Sequence, residues 1–182
     1  MTQLDYLTQL EAELRSVLAE VRSQLVPLPP DALRRRPTPD SWNSLECIAH
    51  LNQYAEDYLH AMQLAIHRAK ARQWVRGETI KYTGRGRRLI GRAETGNGKR
   101  YKSRKRYNFA HQALEPEVLK SFIISSEQIL RILQAAREVD LNKATVNKAH
   151  AWVGKYTLAN LLEFMVKHAR KHVEQAKALA EH

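Results

Sequence analysis

Four stretches of the chain repeat apolar residues every three or four positions, the spacing of a helix with one buried face. The first, about 3–26, puts Leu4, Leu7, Leu10 or Ala12, Leu14, Val17 or Leu18, Val21 and Leu25 on one stripe. It stops at Pro27, Pro29 and Pro30, which cannot continue a helix. The second, about 44–72, carries Leu45, Ile48, Leu51, Ala55, Leu59, Met62 and Ile66, and opens with Asn43 and Glu46 at the spacing of a capping box. In the third, about 115–139, Pro116 stands at the first helical position ahead of Leu119, Phe122, Ile123, Ile129, Leu133 and Ala136. The fourth, about 157–180, starts at Thr157 as N-cap and runs through Leu158, Leu161, Leu162, Met165, Val173, Ala176 and Leu179. There is no internal repeat and no alternating strand pattern of any length. The pattern predicts an all-α four-helix bundle, one domain spanning residues 1–182.

The second and third helices are joined by a connector at about 73–114, long by the standard of helical bundles and expected to be largely irregular. It holds six of the seven glycines. The chain carries a formal net charge of +11, and the excess is local: Arg68–Tyr107 contains 15 basic and two acidic residues, leaving the remainder at −2. The basicity therefore belongs to the insertion and not to the bundle. Arginine and lysine interleaved with Tyr82, Tyr101, Tyr107 and Phe109 suit phosphates and stacked bases, so nucleic acid or another polyanion is a candidate partner. The bland alternative is a solvated, charge-rich loop. The run TGRGRRLIGRAETGNGK lacks the Gly-Lys-Ser/Thr ending of a nucleotide-hydrolysing loop. A single cysteine, Cys47, rules out an internal disulfide framework and fits a reducing, cytoplasmic setting. No apolar run is long enough to span a membrane, and the first residues lack the character of a signal peptide.

The chemistry with the sharpest signal is a histidine pair, His168 and His172, on the apolar stripe of the fourth helix. Residues four apart stand one turn, roughly 6 Å, apart on one face, so two imidazoles can reach one ion. With eight histidines in the chain, one such pair is weak evidence by itself. Two half-buried histidines bonded to backbone or carboxylate would give the same spacing. His50, on the second helix beside Cys47 and Tyr54, is the candidate third ligand, with Glu46 and Tyr54 one turn before and after it. A shared ion at bonds of ~2.1 Å requires the three rings to lie within about 6 Å of one another. His60 and His67 share a different face and are expected to be exposed, and His111, His150 and His182 have no ligand spacing. Cys47 reads either as a thiol near the metal or as a small buried hydrophobe. Trp42 and Trp152 are expected to pack at the ends of the bundle, and Trp74 opens the connector.

The stretch PDSWNSLECIAHLNQYAEDYLHAMQLAI, with Trp42, Ser44, Glu46–Cys47 and His50–Leu51, resembles the second helix of DinB-like proteins, the DinB/YfiT superfamily. The closing stretch HAWVGKYTLANLLEFMVKHARKHVEQA is similar to that family's last segment: a loop histidine, a threonine-led helix, then H-x-x-x-H followed by a glutamine. The approach AAREVDLNKATVNKAH resembles it too, so the likeness covers about 16–70 and 115–182. The resemblance implies a four-helix bundle holding a divalent metal through His50, His168 and His172, and a kinship with enzymes that use low-molecular-weight thiols, such as bacillithiol transferases and mycothiol-dependent isomerases.

Three neutral imidazoles with one open position match a catalytic zinc site, and nickel, iron and manganese accept the same donors; zinc or nickel is the expectation. Such a site supports a thiol S-transferase or a hydrolase acting on a small molecule. No glutamate adjoins the histidines as in H-E-x-x-H peptidases. Glu46, Tyr54 and Gln175 lie within a turn of a ligand and are the candidates to orient ligand or substrate; ordinary bundle contacts would place them equally well. The rival function is a non-catalytic binding module whose basic connector contacts nucleic acid. A second copy of the chain is a further candidate partner.

Overall fold

The computed structural model describes residues 1–94, 103–147 and 155–181. The helices that start at Gln3, Ser44, Gly84 and Leu158 begin where a side chain satisfies a free backbone N–H; the one that starts at Glu117 begins at a proline without one. Thr2 accepts from Asp5 N–H at the start of α1 (Gln3–Glu20), which continues through a π-helical turn, Val21–Leu25. A short α2 (Pro30–Leu33) follows the prolines. Asn43 and Glu46 close a complete capping box at the start of α3 (Ser44–Ala71), as their spacing predicts. In the connector, Thr83 caps α4 (Gly84–Ala93). Pro116 is the N-cap of α5 (Glu117–Ala135), which ends in a 3-10 turn, Ala136–Glu138. Thr157 Oγ1 accepts from Asn160 N–H at 3.3 Å as α6 (Leu158–Glu181) begins.

The helix α3 packs against α5 and α6, and α1 packs against the same two, so α1 and α3 sit on one diagonal of the bundle. The predicted stripes form the core: Leu7, Leu14, Leu25, Leu45, Ile48, Met62, Leu133, Leu158, Leu161 and Leu162 are fully buried. Two three-residue strands, β1 (Thr145–Asn147) and β2 (Lys155–Thr157), pair antiparallel just before α6, with Val146 opposite Tyr156. They are too short to leave an alternating pattern in the sequence. No described helix is long and apolar enough to cross a membrane.

Within the connector, expected to be largely irregular, α4 and a 3-10 turn form because its charges and hydroxyls find partners on the bundle. Its first part forms isolated bridges, Thr2 with Thr79 and Val75 with Val139. Tyr82 then donates to Glu163 Oε2 at 2.9 Å, beside the Tyr6 hydroxyl, which lies 3.0 Å from the same oxygen and 2.8 Å from Ala159 O. The basic helix α4 docks along α6 at a point where only glycine fits. A β-carbon at Gly86 would overlap the Asn160 side chain, whose Oδ1 accepts from both Thr83 N–H and Thr83 Oγ1. The last part, around a 3-10 turn at Lys105–Tyr107, binds α3: Arg106 Nη2 pairs with Asp57 Oδ1 at 2.6 Å and the Tyr107 hydroxyl donates to Asp57 Oδ2 at 2.7 Å.

One buried carboxylate gathers the start of α3. Glu46 is fully buried and takes a bidentate pair from Arg36 at 2.7 and 2.5 Å, the Asn43 N–H at 2.9 Å and the His111 N–H at 2.5 Å. His111 reaches it with a positive φ of 63°. Three outcomes follow from the contacts of the bundle and its connector. Glu46→Ala strands the Arg36 charge and two N–H donors, and is expected to lower unfolding free energy by about 3 kcal/mol in urea titrations. Breaking the exposed Glu11–Arg15 pair by Arg15→Ala should cost under ~1 kcal/mol. Gly86→Ala is expected to lift α4 from α6, read as faster proteolysis within 84–94 with bundle helicity retained.

Candidate metal centre

Helix geometry brings the three histidines together. His50 lies two turns into α3, and His168 and His172 lie one turn apart on the face of α6 that meets it. Ring centroids are 5.0 Å apart for His50–His168, 4.6 Å for His50–His172 and 4.6 Å for His168–His172, all inside the 6 Å limit set by a shared ion. One nitrogen from each lies within 4.8 Å of the others. His50 Nε2 and His168 Nε2 are 3.2 Å apart. Two ligands bonded at ~2.1 Å to a tetrahedral ion stand roughly 3.4 Å from each other, so this separation suits a common ion.

The surroundings fix two of the tautomers. His50 Nδ1 is 2.7 Å from the Tyr107 carbonyl oxygen, and a carbonyl only accepts, so Nδ1 carries the hydrogen and Nε2 presents a lone pair. In the same way His172 Nδ1 donates to Gln175 Oε1 at 3.0 Å, leaving its Nε2 as the donor atom. His168 is different: its Nδ1 is buried without a partner. If its Nε2–H points at His50 Nε2, a lone pair on Nδ1 is stranded. If Nδ1 carries the hydrogen, two lone pairs face each other at 3.2 Å. The second arrangement repels unless a cation lies between the nitrogens. These residues therefore fit a divalent ion, and no carboxylate or thiol is needed to complete the three donors.

Burial favours the neutral form of all three rings. Desolvation pushes the His50, His168 and His172 pKa values down, and for His168 the two neighbouring rings and Lys171 add to it. Neutral imidazole is the form that coordinates a metal. His50 and His168 are buried, His172 is half-buried and Gln175 is exposed, so the cluster opens to solvent on the His172 side. Aromatic rings close the other sides: Trp42 at 5.1 Å from His50, Tyr54 at 4.6 Å from His168, Phe164 stacked on His168 at 4.8 Å, and Tyr107 stacked on Tyr54 at 4.2 Å.

The polar residues named from the sequence divide. Gln175 bonds His172, and the Tyr54 ring lies against both His50 and His168. Glu46 instead joins Arg36, Asn43 and His111, and supports His50 only by fixing the helix start. Cys47 is fully buried in the core, and burial raises its thiol pKa, as for an inert hydrophobe. His60, His67 and His111 are exposed. His150, Trp152, Tyr101 and His182 fall outside the described residues.

Three contributors were not visible as such in the sequence. Trp42, expected at the bundle end, covers His50 and His172 because it directly precedes the Asn43 cap. Phe164 stands four residues before His168, and that spacing alone marks it as a stacking neighbour. Tyr107, expected to offer a free ring to bases, is buried and gives its carbonyl to His50 from across the connector, a contact no spacing announces.

No curated protein and no solved structure matches the chain. A family profile does, over residues 8–176, and its span takes in all three histidines, the capping box and the docked connector. The chain belongs to the DinB superfamily.

Proposed function

We propose that this chain is a metal-dependent enzyme in which His50, His168 and His172 hold one divalent ion, zinc or nickel, with a coordination position left open toward solvent. The observation that carries the reading is the convergence of three neutral imidazoles within 4.8 Å, two of them with Nδ1–H already engaged by Tyr107 O and Gln175 Oε1. A bound divalent ion supplies Lewis acidity that favours the ionised, nucleophilic form of a thiol or water. The substrate class is a small molecule reaching the His172 side, a low-molecular-weight thiol above all, and the reaction is S-transfer or hydrolysis.

The protein's own groups divide the remaining work. Tyr107 O and Gln175 Oε1 keep two rings in one tautomer and orientation. Trp42, Phe164 and Tyr54 exclude water from the buried side. Burial raises the Tyr54 hydroxyl pKa above the ordinary phenol value, in keeping with its place on the closed side of the cluster. One domain over residues 1–182 and a cytoplasmic setting complete the reading; the buried single thiol of Cys47 suits a reducing compartment.

The binding-module alternative rests on exposed Arg85, Arg87 and Arg88 along α4. Its stacking component is weak, because Tyr107 is buried and the Tyr82 hydroxyl is bonded to Glu163. Salt-sensitive binding to DNA or RNA that is indifferent to chelator would favour it over the enzyme.

Elemental analysis of native protein should give one divalent ion per chain, and none after replacement of the histidines. Alanine at His50, His168 or His172 is expected to cut affinity at least 100-fold, and Gln175→Ala about tenfold. His60→Ala and His67→Ala should leave it unchanged. A native protein that takes up no stoichiometric zinc, nickel, iron or manganese would sink the reading.

A pH dependence follows as well. Burial lowers the pKa of all three histidines in the folded state, whereas in the unfolded chain they take protons near pH 6.5. The unfolded state therefore binds more protons below that pH, and stability falls as pH drops. Metal-free protein should lose stability between pH 6.5 and 5, with a slope of up to about 1.4 kcal/mol per pH unit for each histidine. Glu20, held down to about 2 by Lys177 and Arg170 against its burial, adds nothing in that window. In His168→Leu the slope measured by thermal or urea unfolding should flatten.

A further inference from the structure

A second concavity lies at the other end of α3. A cavity of about 190 Å3 opens between Arg68, Arg72, Trp74 and the β1–β2 hairpin residues Thr145, Asn147 and Lys155. Arg68 is 18 residues beyond His50 on one helix, roughly 27 Å along its axis, so the two sites are separate. Three of the lining side chains are cations and none is acidic.

Several arginines of the bundle and connector are neutralised: Arg22, Arg34, Arg36, Arg106, Arg137 and Arg170 each meet a carboxylate. Among the described residues Arg68, Arg72 and Lys155 meet none. Arg68 donates to the Thr145 carbonyl at 3.1 Å, which pins its guanidinium at the cavity edge and leaves its other donors free. The Arg72 guanidinium sits 5.0 Å over the Trp74 ring, which fixes its plane without neutralising it. The C-terminal end of α3 contributes a partial charge of roughly −0.5, far less than three full positive charges. The result is a concavity of net positive potential whose two guanidiniums are held by the protein and whose charge is unanswered.

We propose that this cavity binds the phosphate group of a small phosphorylated molecule. Arg68 and Arg72 offer planar forks matched to phosphate oxygens, Lys155 adds a mobile point charge, and Asn147 and Thr145 supply neutral polar contacts. The volume is below the ~300 Å3 where sites for drug-sized ligands begin, so the group taken is a phosphate with a short substituent and not a whole nucleotide. A nucleic-acid strand presents the same oxygens, but as diesters on a continuous backbone that a small concavity does not accommodate.

Full-length protein titrated with inorganic phosphate and with glycerol phosphate tests the site, using sodium chloride at matched ionic strength as control. Binding is read by calorimetry and by the indole N–H signal of Trp74 in nitrogen-15 spectra, assigned with Trp74→Phe. Saturable binding that shifts Trp74 and leaves Trp42 still is the expected result. Arg68→Gln combined with Lys155→Gln should weaken it at least tenfold, while Lys120→Gln, an exposed cation on α5, should not. If the double variant folds poorly by circular dichroism, the wild-type indole shifts decide alone. The proposal is overturned if chloride reproduces the response, if Lys120→Gln weakens binding as much as the double variant, or if an oligonucleotide moves the Trp74 signal while both small phosphates leave it unchanged. Metal content is measured in parallel, so loss of phosphate binding with the ion still bound separates this site from the histidine cluster.

Discussion

The structure turns on an imidazole that the protein alone does not satisfy. His168 is buried where α3, α5 and α6 meet, and in either tautomer one of its nitrogens is left without a protein partner or faces another lone pair. Burying an unpaired polar group costs ~1–3 kcal/mol, a large fraction of the stability of a small domain. The surrounding architecture makes sense as the means of holding three such rings in one orientation. The capping box sets the start of α3, the Arg36–Glu46 clasp pins it, and His50 then projects two turns in toward α6. On α6 the Thr157 cap fixes the phase of the helix, so that His168 and His172 follow Leu161 and Met165 on the buried stripe.

The connector belongs to this arrangement more than its composition suggests. Its net charge invites a reading as a free polycationic arm, yet much of it is tied down. Glu163 receives Tyr82, Asp57 receives Arg106 and Tyr107, and Glu46 receives the His111 N–H. Each acceptor is a buried or nearly buried carboxylate on a bundle helix, where charge-assisted bonds are strongest. Docking carries the Tyr107 carbonyl to His50. A backbone atom of the insertion thus sets the tautomer of a residue some sixty positions earlier, and it does so without depending on the identity of the side chain at 107.

The helices, their caps and the core stripes were legible because each rests on local rules: spacing, prolines and a cap three residues ahead. The three-histidine cluster was legible in part. The i, i+4 pair follows from helix geometry, but His50 could be joined to it only through resemblance, since nothing local states which face of α3 meets α6. Helix α4 was missed because its apolar positions are few: Leu89 and Ile90 among glycines and arginines do not form a stripe, and its docking depends on the absence of a side chain at Gly86 opposite Asn160. The short hairpin and the Tyr107 carbonyl share that character. Both are products of tertiary contact, and neither leaves a period in the sequence.

The same division explains how a bundle can carry a demanding site without depending on it for folding. The apolar stripes of α1, α3, α5 and α6 bury their residues whether or not an ion is present, and burial of such surface is the dominant favourable contribution to stability. The histidines occupy one end of the α3–α6 seam, bordered by aromatic rings that pack equally well around neutral imidazoles. A divalent ion held here would meet a cluster already shaped by Trp42, Tyr54 and Phe164, with two of three tautomers set in advance. Preorganisation of this kind lowers the cost of binding, because ordering of the ligands is supplied by folding. Among the described residues, the solvent-facing edge of the cluster is the one at His172 and Gln175.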